Sequence, residues 1–112
     1  MAVVNLNTSV SYATWTLAIA GLASPLIANT GLEDDDGSTY AEDVRLNNRS
    51  MGGCTLTLRG KTGVAKPTIS GTSTIGNGSI LISNTVGVIL DALIVTTAGA
   101  GTAACVWLGN DA

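Results

Sequence analysis

The C-terminal half of this chain is a succession of short apolar runs separated by turn-forming residues, and this pattern restricts its fold more than any other feature. Val, Ile, Leu and Thr dominate the runs, and Gly, Asn and Ser stand between them. Such runs predict strands, because β-branched side chains favour strands whereas Gly and Asn favour turns. No apolar stripe recurs at a helical interval. The predicted strands are Cys54–Arg59, Pro67–Ser70, Ser79–Ser83, Val88–Val95 and Cys105–Leu108. The sequence therefore predicts an all-β protein.

The strands repeat at a nearly constant interval. The segments that begin at Leu56, Ile80 and Val106 follow one another at steps of about two dozen positions, and each has apolar residues at its first and third positions. This interval predicts a short right-handed parallel β-helix, a solenoid whose coils stack at about 4.8 Å. The third positions predict one inward-facing ladder, made of Leu58, Ile82 and Leu108.

Asparagines and glycines follow the repeated segments and distinguish two possible folds. Asn84 and Asn110 would stack at one turn of a solenoid, where Asn tolerates a left-handed backbone. The alternative is a small antiparallel sandwich, which has the same strand lengths and turn residues. The dipeptide Asn77-Gly78 favours that alternative, since Asn-Gly is typical of hairpins. The register of the apolar ladder favours the solenoid.

Charge divides the chain into an N-terminal part and the coils. Residues 1–31 carry no charge, whereas residues 32–66 hold all five basic residues and six of the eight acidic ones. We predict that residues 1–36 form an N-terminal arm or cap with an acidic loop, and that residues 37–112 form the coils. The uncharged N-terminal part is too apolar to remain a solvated tail, so we expect it to contact other subunits.

Three segments carry a family signal: Gly37-Ser-Thr-Tyr-Ala-Glu-Asp-Val-Arg-Leu-Asn47, Cys54-Thr-Leu-Thr-Leu-Arg-Gly60 and Lys66-Pro-Thr-Ile-Ser-Gly71. They resemble the first coils of the pectate-lyase-like right-handed parallel β-helix superfamily, and are most similar to its phage fibre, tailspike and decoration proteins. The resemblance implies an N-terminal helix that caps the open end, for which Tyr12–Ala23 is the candidate. Lyases, esterases, adhesins and tailspikes share this pattern, so it implies a fold rather than an activity.

The residues needed for catalysis are missing from the predicted coils. Histidine is absent from the chain, which excludes imidazole-dependent hydrolysis and His-ligated metal sites. Only Asp91 and Asp111 are acidic after residue 43, and they form no carboxylate pair suited to sugar chemistry. The run Glu33–Asp36 could hold calcium, but it does not fit an EF-hand and is interpreted as a solvated loop. We predict no enzyme activity, no cofactor and no metal.

Two cysteines, Cys54 and Cys105, raise the question of a disulfide. The predicted register places them two coils apart, at about 10 Å, whereas a disulfide needs Cα atoms within about 7 Å. We therefore expect both to be small packing residues.

Composition directs the search for partners toward other proteins. The net charge is −3, which disfavours nucleic acid. No positively charged segment precedes the apolar run at Thr16–Ala23, and that run is too short to span a membrane. Mean hydropathy is +0.40 in a small chain, so we expect association to cover apolar surface. The predicted interface residues are Tyr12, Trp15, Leu17, Ile19, Leu22 and Trp107.

These observations predict a structural protein of a virus particle. We expect a homotrimer that docks on capsid or tail proteins, as a decoration (cement) protein or as the base of a fibre or tailspike. Trimeric symmetry follows from the family resemblance alone. The alternatives are a carbohydrate-binding or adhesin β-helix module and the N-terminal piece of a polysaccharide lyase.

Overall fold

The protein is all-β in a computed structural model that describes residues 2–6, 13–71, 79–97 and 105–109. Within these ranges it has ten strands and one short helix. The strands are β1 (Ala2–Leu6), β2 (Thr30–Asp34), β3 (Thr39–Tyr40), β4 (Val44–Asn47), β5 (Leu56–Gly60), β6 (Thr68–Gly71), β7 (Ile80–Ser83), β8 (Val88–Asp91), β9 (Ile94–Thr97) and β10 (Val106–Gly109), and the helix is α1 (Trp15–Ala20).

The strands form three small sheets that the chain enters in rotation. Sheet 1 has the order β1-β2-β5-β8, sheet 2 has β3-β6-β9, and sheet 3 has β4-β7-β10. From β2 onward the chain passes through sheets 1, 2 and 3, and repeats that order twice. Every strand pair among the described residues is parallel, so the antiparallel sandwich is wrong for this part of the chain.

The predicted ladder of Leu58, Ile82 and Leu108 is wrong in one member. Leu58 lies in sheet 1, whereas Ile82 lies in sheet 3 and pairs with Leu108. In sheet 1, Leu58 instead lies between Leu32 and Leu90.

The error arises because the spacing between paired strands varies. The step along the chain from Thr30 to its partner Leu56 is shorter than the step from Leu56 to its partner Val88. Each circuit contains three strands, so a constant step that starts at β5 reaches β7 in another sheet rather than β8.

The run Val88–Val95 is two strands rather than the single strand predicted. β8 belongs to sheet 1 and β9 to sheet 2, and the corner between them is made by Ala92 with φ 53°. Such a positive φ is unfavourable for residues other than Gly, Asn or Asp. Asp91, a turn-forming residue, directly precedes this corner, but the apolar residues on both sides of it resemble one continuous strand.

Two asparagines, Asn48 and Asn84, stack where sheet 3 ends; Asn84 belongs to the predicted turn stack, whereas Asn48 was not predicted. Asn48 and Asn84 have positive φ of 53° and 46°, and the Asn84 Nδ2 donates to Asn48 Oδ1 at 2.7 Å. Asn110, the predicted partner of Asn84, lies outside the described residues, as does Asn77-Gly78.

The N-terminal part of the chain packs together with the later strands in one structural unit. The predicted boundary at residues 36 and 37 falls between β2 and β3, and sheet 1 contains strands from both sides of it. Leu6, Trp15 and Ile19 are buried in the core of the chain itself. At these three positions burial within the chain explains the absence of charge, because unpaired charges are excluded from a core.

A helix does lie inside the predicted Tyr12–Ala23 segment, but it is only six residues long. Thr14 caps it by accepting the Leu17 N–H at 3.1 Å, and Glu42 accepts the N–H groups of Trp15 and Thr16 at 2.9 and 2.8 Å. The helix contacts β1 and β4, which are the edge strands of sheets 1 and 3 that come first in the chain. These bonds satisfy the helix's free N–H groups and fix it at this edge of the sheets.

The core is built from inward residues that repeat at equal register. Leu32 and Leu58 form such a pair in sheet 1, Tyr40 and Ile69 in sheet 2, and all four are buried. Trp15 closes the end of this core, since its ring meets Tyr40 edge-on with centroids 5.9 Å apart.

A stability measurement tests the register directly. Leu58→Ala is expected to lower the free energy of unfolding by about 2–5 kcal/mol, because it leaves a cavity in a fully buried ladder. Ile27→Ala is the matched control: Ile27 is 91% exposed, and the expected change is within about 0.5 kcal/mol. Urea unfolding measures both, and equal losses would contradict the assigned core.

Candidate functional site

The structure places the predicted interface residues at different depths. Trp15 and Ile19 are buried inside the chain, Leu22 is half-buried against the core, and Leu17 is 51% exposed. Tyr12 and the side chain of Trp107 lie outside the described part of the structure. Of the four members whose side chains are described, Leu17 is the one that is open to a partner.

The largest group of exposed apolar side chains lies at the opposite end from α1. We call β8, β9 and β10 the terminal coil, because each is the last described strand of its sheet. Among the described residues, eight large hydrophobic side chains are exposed, and five of them lie on or just before these strands. They are Val86, Ile89, Ile94, Val106 and Leu108.

Two kinds of apolar residue are exposed on the terminal coil. Leu108 ends an inward ladder in which Leu46 is fully buried and Ile82 is half-buried, yet Leu108 is 74% exposed. Ile89 and Ile94 alternate with the inward residues Leu90 and Val95, so they lie on the outer faces. The terminal coil therefore exposes apolar side chains both in line with an inward ladder and on its outer faces.

Backbone groups are also exposed at this end. No described strand pairs with the far side of β8, β9 or β10, so their outward N–H and C=O groups have no strand partner there. Open edges of this kind invite pairing with another chain. The sequence signal that marks this coil is Val88-Ile-Leu90, a continuous apolar run where a strand with one solvated face would alternate.

A second feature is a row of charges on the outer face of sheet 1. Glu33, Arg59 and Asp91 occupy equal register on β2, β5 and β8. Arg59 donates from Nε and Nη2 to Glu33 Oε2, both at 2.9 Å. The cation thus lies between two anions, an arrangement of opposite charges on neighbouring strands that stabilises a sheet.

The row borders a cavity that we call the charged groove, with a volume of about 330 Å³. Its lining consists of Glu33, Arg59–Val64, Lys66, Asp91 and Ala92. It lies where the loop after β5 meets the corner between β8 and β9. Sequence reasoning missed this site, although Leu32-Glu33 and Leu58-Arg59 carry opposite charges at equal positions of paired strands.

The prediction that Glu33–Asp36 is a solvated loop is wrong for its first half. Glu33 and Asp34 end strand β2, and Asp34 is fully buried. The Asp34 Oδ2 accepts the Gly37 N–H at 2.7 Å, and Tyr40 donates its hydroxyl to Oδ1. The carboxylate therefore closes the turn between sheets 1 and 2 and compensates for its own burial by hydrogen bonds.

Burial shifts the titration of this pair. Desolvation raises the pKa of Asp34 above its usual range, against the opposing effect of the hydrogen bonds from Tyr40 and Gly37. Desolvation, with the neighbouring Asp34, also raises the pKa of Tyr40. Because Asp34 is fully buried, its carboxyl group cannot touch a substrate, and we assign it a structural role.

The described residues contain neither a metal-binding cluster nor a membrane-spanning helix. No three acidic or cysteine side chains there are grouped so that they could hold a metal ion. No helix in this part of the chain has the length and apolar character needed to cross a bilayer. The absence of enzyme activity stays a prediction.

Both cysteines are free thiols. The expected two-coil separation within one ladder is wrong, because Cys54 precedes β5 of sheet 1 whereas Cys105 precedes β10 of sheet 3. Cys54 is half-buried, but Cys105 is exposed and is not the packing residue predicted.

Comparison with protein-family models, curated proteins and solved structures gives no match to this chain. The resemblance to pectate-lyase-like proteins stays a prediction.

The raised pKa of Asp34 predicts a pH dependence of stability. The folded protein binds the Asp34 proton more tightly than the unfolded chain, whose Asp pKa is about 3.9. The stability due to this proton is complete below the unfolded pKa and is lost as pH rises through the folded pKa. Wild type should therefore gain free energy of unfolding relative to Asp34→Asn as pH falls from about 7 to about 4. Urea unfolding across this range measures the difference, and a constant or opposite trend would contradict it.

The ion pair between Glu33 and Arg59 is tested by a double-mutant cycle. Arg59→Gln should lower the free energy of unfolding by about 1 kcal/mol, because it leaves the half-buried Glu33 without its cation. Adding Glu33→Gln should restore part of that loss, giving a coupling energy of about 0.5–1 kcal/mol. The pair Arg45 and Asp43, 3.9 Å apart and more exposed, is the control and should couple near zero. Equal coupling in both cycles would contradict the assignment.

Proposed function

We propose that this protein is a non-enzymatic structural component of a virus particle, acting by self-association and docking. Its strands would form a short right-handed parallel β-helix with α1 at one end. The observation that supports assembly most strongly is the exposed apolar terminal coil. Phage decoration proteins and fibre or tailspike bases are the classes that the sequence resembles.

The rotation through three parallel sheets supports the β-helix interpretation. A chain that enters sheets 1, 2 and 3 in the same order three times winds around one interior. Parallel crossovers are right-handed in nearly all proteins, which favours a right-handed winding. The Asn48–Asn84 bond, between equal positions of successive circuits, agrees with stacked coils.

The asymmetry of the two ends supports docking through the terminal coil. The α1 end is covered by Trp15 and by the bonds to Glu42. The other end exposes Leu108 together with the outer residues Ile89 and Ile94. Large apolar patches are rare on isolated monomers and mark interaction surfaces.

A homotrimer is the oligomer that we propose, and particle proteins of the capsid or tail are the proposed further partners. A closed symmetric ring covers the outward isoleucines of each subunit and prevents open-ended growth. The trimeric number comes from the resemblance to phage fibre proteins.

Charge substitution on the outer face tests assembly without disturbing the core. Ile89→Glu and Ile94→Glu are expected to convert the trimer to monomer, because each would bury an unpaired carboxylate in the interface. Ile27→Glu, equally drastic but in the exposed loop before β2, should leave the trimer intact. Sedimentation at micromolar concentration, with circular dichroism to verify folding, measures the outcome. A wild type that is monomeric and binds no particle protein would overturn the proposal.

A further inference from the structure

The charged groove lies between two corners of the chain that leave little freedom for change. A Cβ at Gly60 would lie 2.6 Å from Pro67 Cδ and 2.8 Å from the carbonyl oxygen of Ala92, so this position admits only glycine. Ala92 holds a positive φ of 53° at the facing corner. Unfavourable backbone of this kind is concentrated at functional sites. The groove is thus a defined cavity between two tightly packed corners.

Basic residues are concentrated in this groove. Three of the five basic residues of the chain, Arg59, Lys61 and Lys66, line it, against the two acidic residues Glu33 and Asp91. The groove therefore carries a net positive charge in a protein whose net charge is −3. A concave site lined by one excess sign of charge concentrates ligands of the opposite sign.

The three cations do not offer the same chemistry. The guanidinium of Arg59 is held from Nε and Nη2 by Glu33, so its fork is already engaged by a carboxylate. Among the described residues, Lys61 and Lys66 take no part in an ion pair. Both lysines are exposed, one at each end of the loop that forms the groove wall.

We propose that the charged groove binds a phosphate or sulfate monoester of a small organic molecule. Ammonium groups act as point charges toward tetrahedral oxyanions, whereas planar carboxylates are recognised best by a free arginine fork. Thr62 lines the same wall, and its side chain carries a hydroxyl that can donate a hydrogen bond. A cavity of about 330 Å³ is at the size of small-ligand sites, and Val64 and Ala92 give it an apolar part for the organic group.

Titration followed by amide NMR tests the proposal on the full chain. The probes are glucose 6-phosphate, glucose 6-sulfate, inorganic phosphate, glucuronate and glucose. The two esters should shift the amide signals of residues 59–66 and 91–92. Inorganic phosphate should bind more weakly than the esters, glucuronate more weakly still, and glucose should cause no shift. Lys61→Gln and Lys66→Gln should each weaken ester binding about fivefold. Arg45→Gln removes the same charge outside the groove and should leave the affinity unchanged.

Each other outcome overturns a defined part of the proposal. Equal weakening by Arg45→Gln would show that net charge rather than the groove holds the ester. If glucuronate bound more tightly than the esters, the ligand of the groove would be a carboxylate rather than a tetrahedral oxyanion. If inorganic phosphate bound as tightly as the ester, the groove would recognise only the anion, and the proposed contact with the organic group would be wrong. The charged groove lies within one subunit, so ester binding does not depend on assembly. The monomeric Ile89→Glu variant should therefore bind the ester like wild type.

Discussion

Parallel pairing of strands in register is the constraint on which this structure depends, because it decides which side chains lie above one another. Along sheet 1 it brings Leu32, Leu58 and Leu90 into one inward ladder and Glu33, Arg59 and Asp91 into one outward row. The same hydrogen bonds thus assemble a core and a charged surface. Corners between the sheets then need residues that leave the strand conformation. Among the described residues, several glycines do so at positive φ, and so do Asn48, Asn84 and Ala92.

Much of the fold could be predicted from local residue types. The strands at Leu56–Gly60, Thr68–Gly71 and Ile80–Ser83 lie where β-branched runs indicate them. The register could not be predicted, because the step between paired residues is longer from Val44 to Ile80 than from Thr30 to Leu56. The corner at Ala92 is marked in the sequence only by Asp91, within an otherwise apolar run. The acidic residues at the end of β2 made that strand resemble a loop. Glu33 on this strand is paired with Arg59 on the neighbouring strand, a partner that a local pattern does not reveal.

The candidate sites are less accessible to sequence reasoning than the fold. An aromatic residue in an uncharged segment suggests an interface, yet Trp15 fills the core beside Tyr40. The apolar end and the charged groove depend on residues from separate circuits, such as Lys61 and Ala92. Their proximity follows from register, so the sites become visible only once the pairing is known.

The exposed ladder position of Leu108 also bears on how the molecule opens. In the proposed β-helix, each layer contacts only its neighbours, so its stability is a sum of local terms. Ile82 has Leu46 on one side and Leu108 on the other, whereas Leu108 has a described neighbour only at Ile82. Amide hydrogen exchange would then spread inward from one end, as fraying of the outermost layer, while the layers beneath α1 stay protected. A partner that adds a layer would move this fraying boundary outward and slow the exchange of every layer below it.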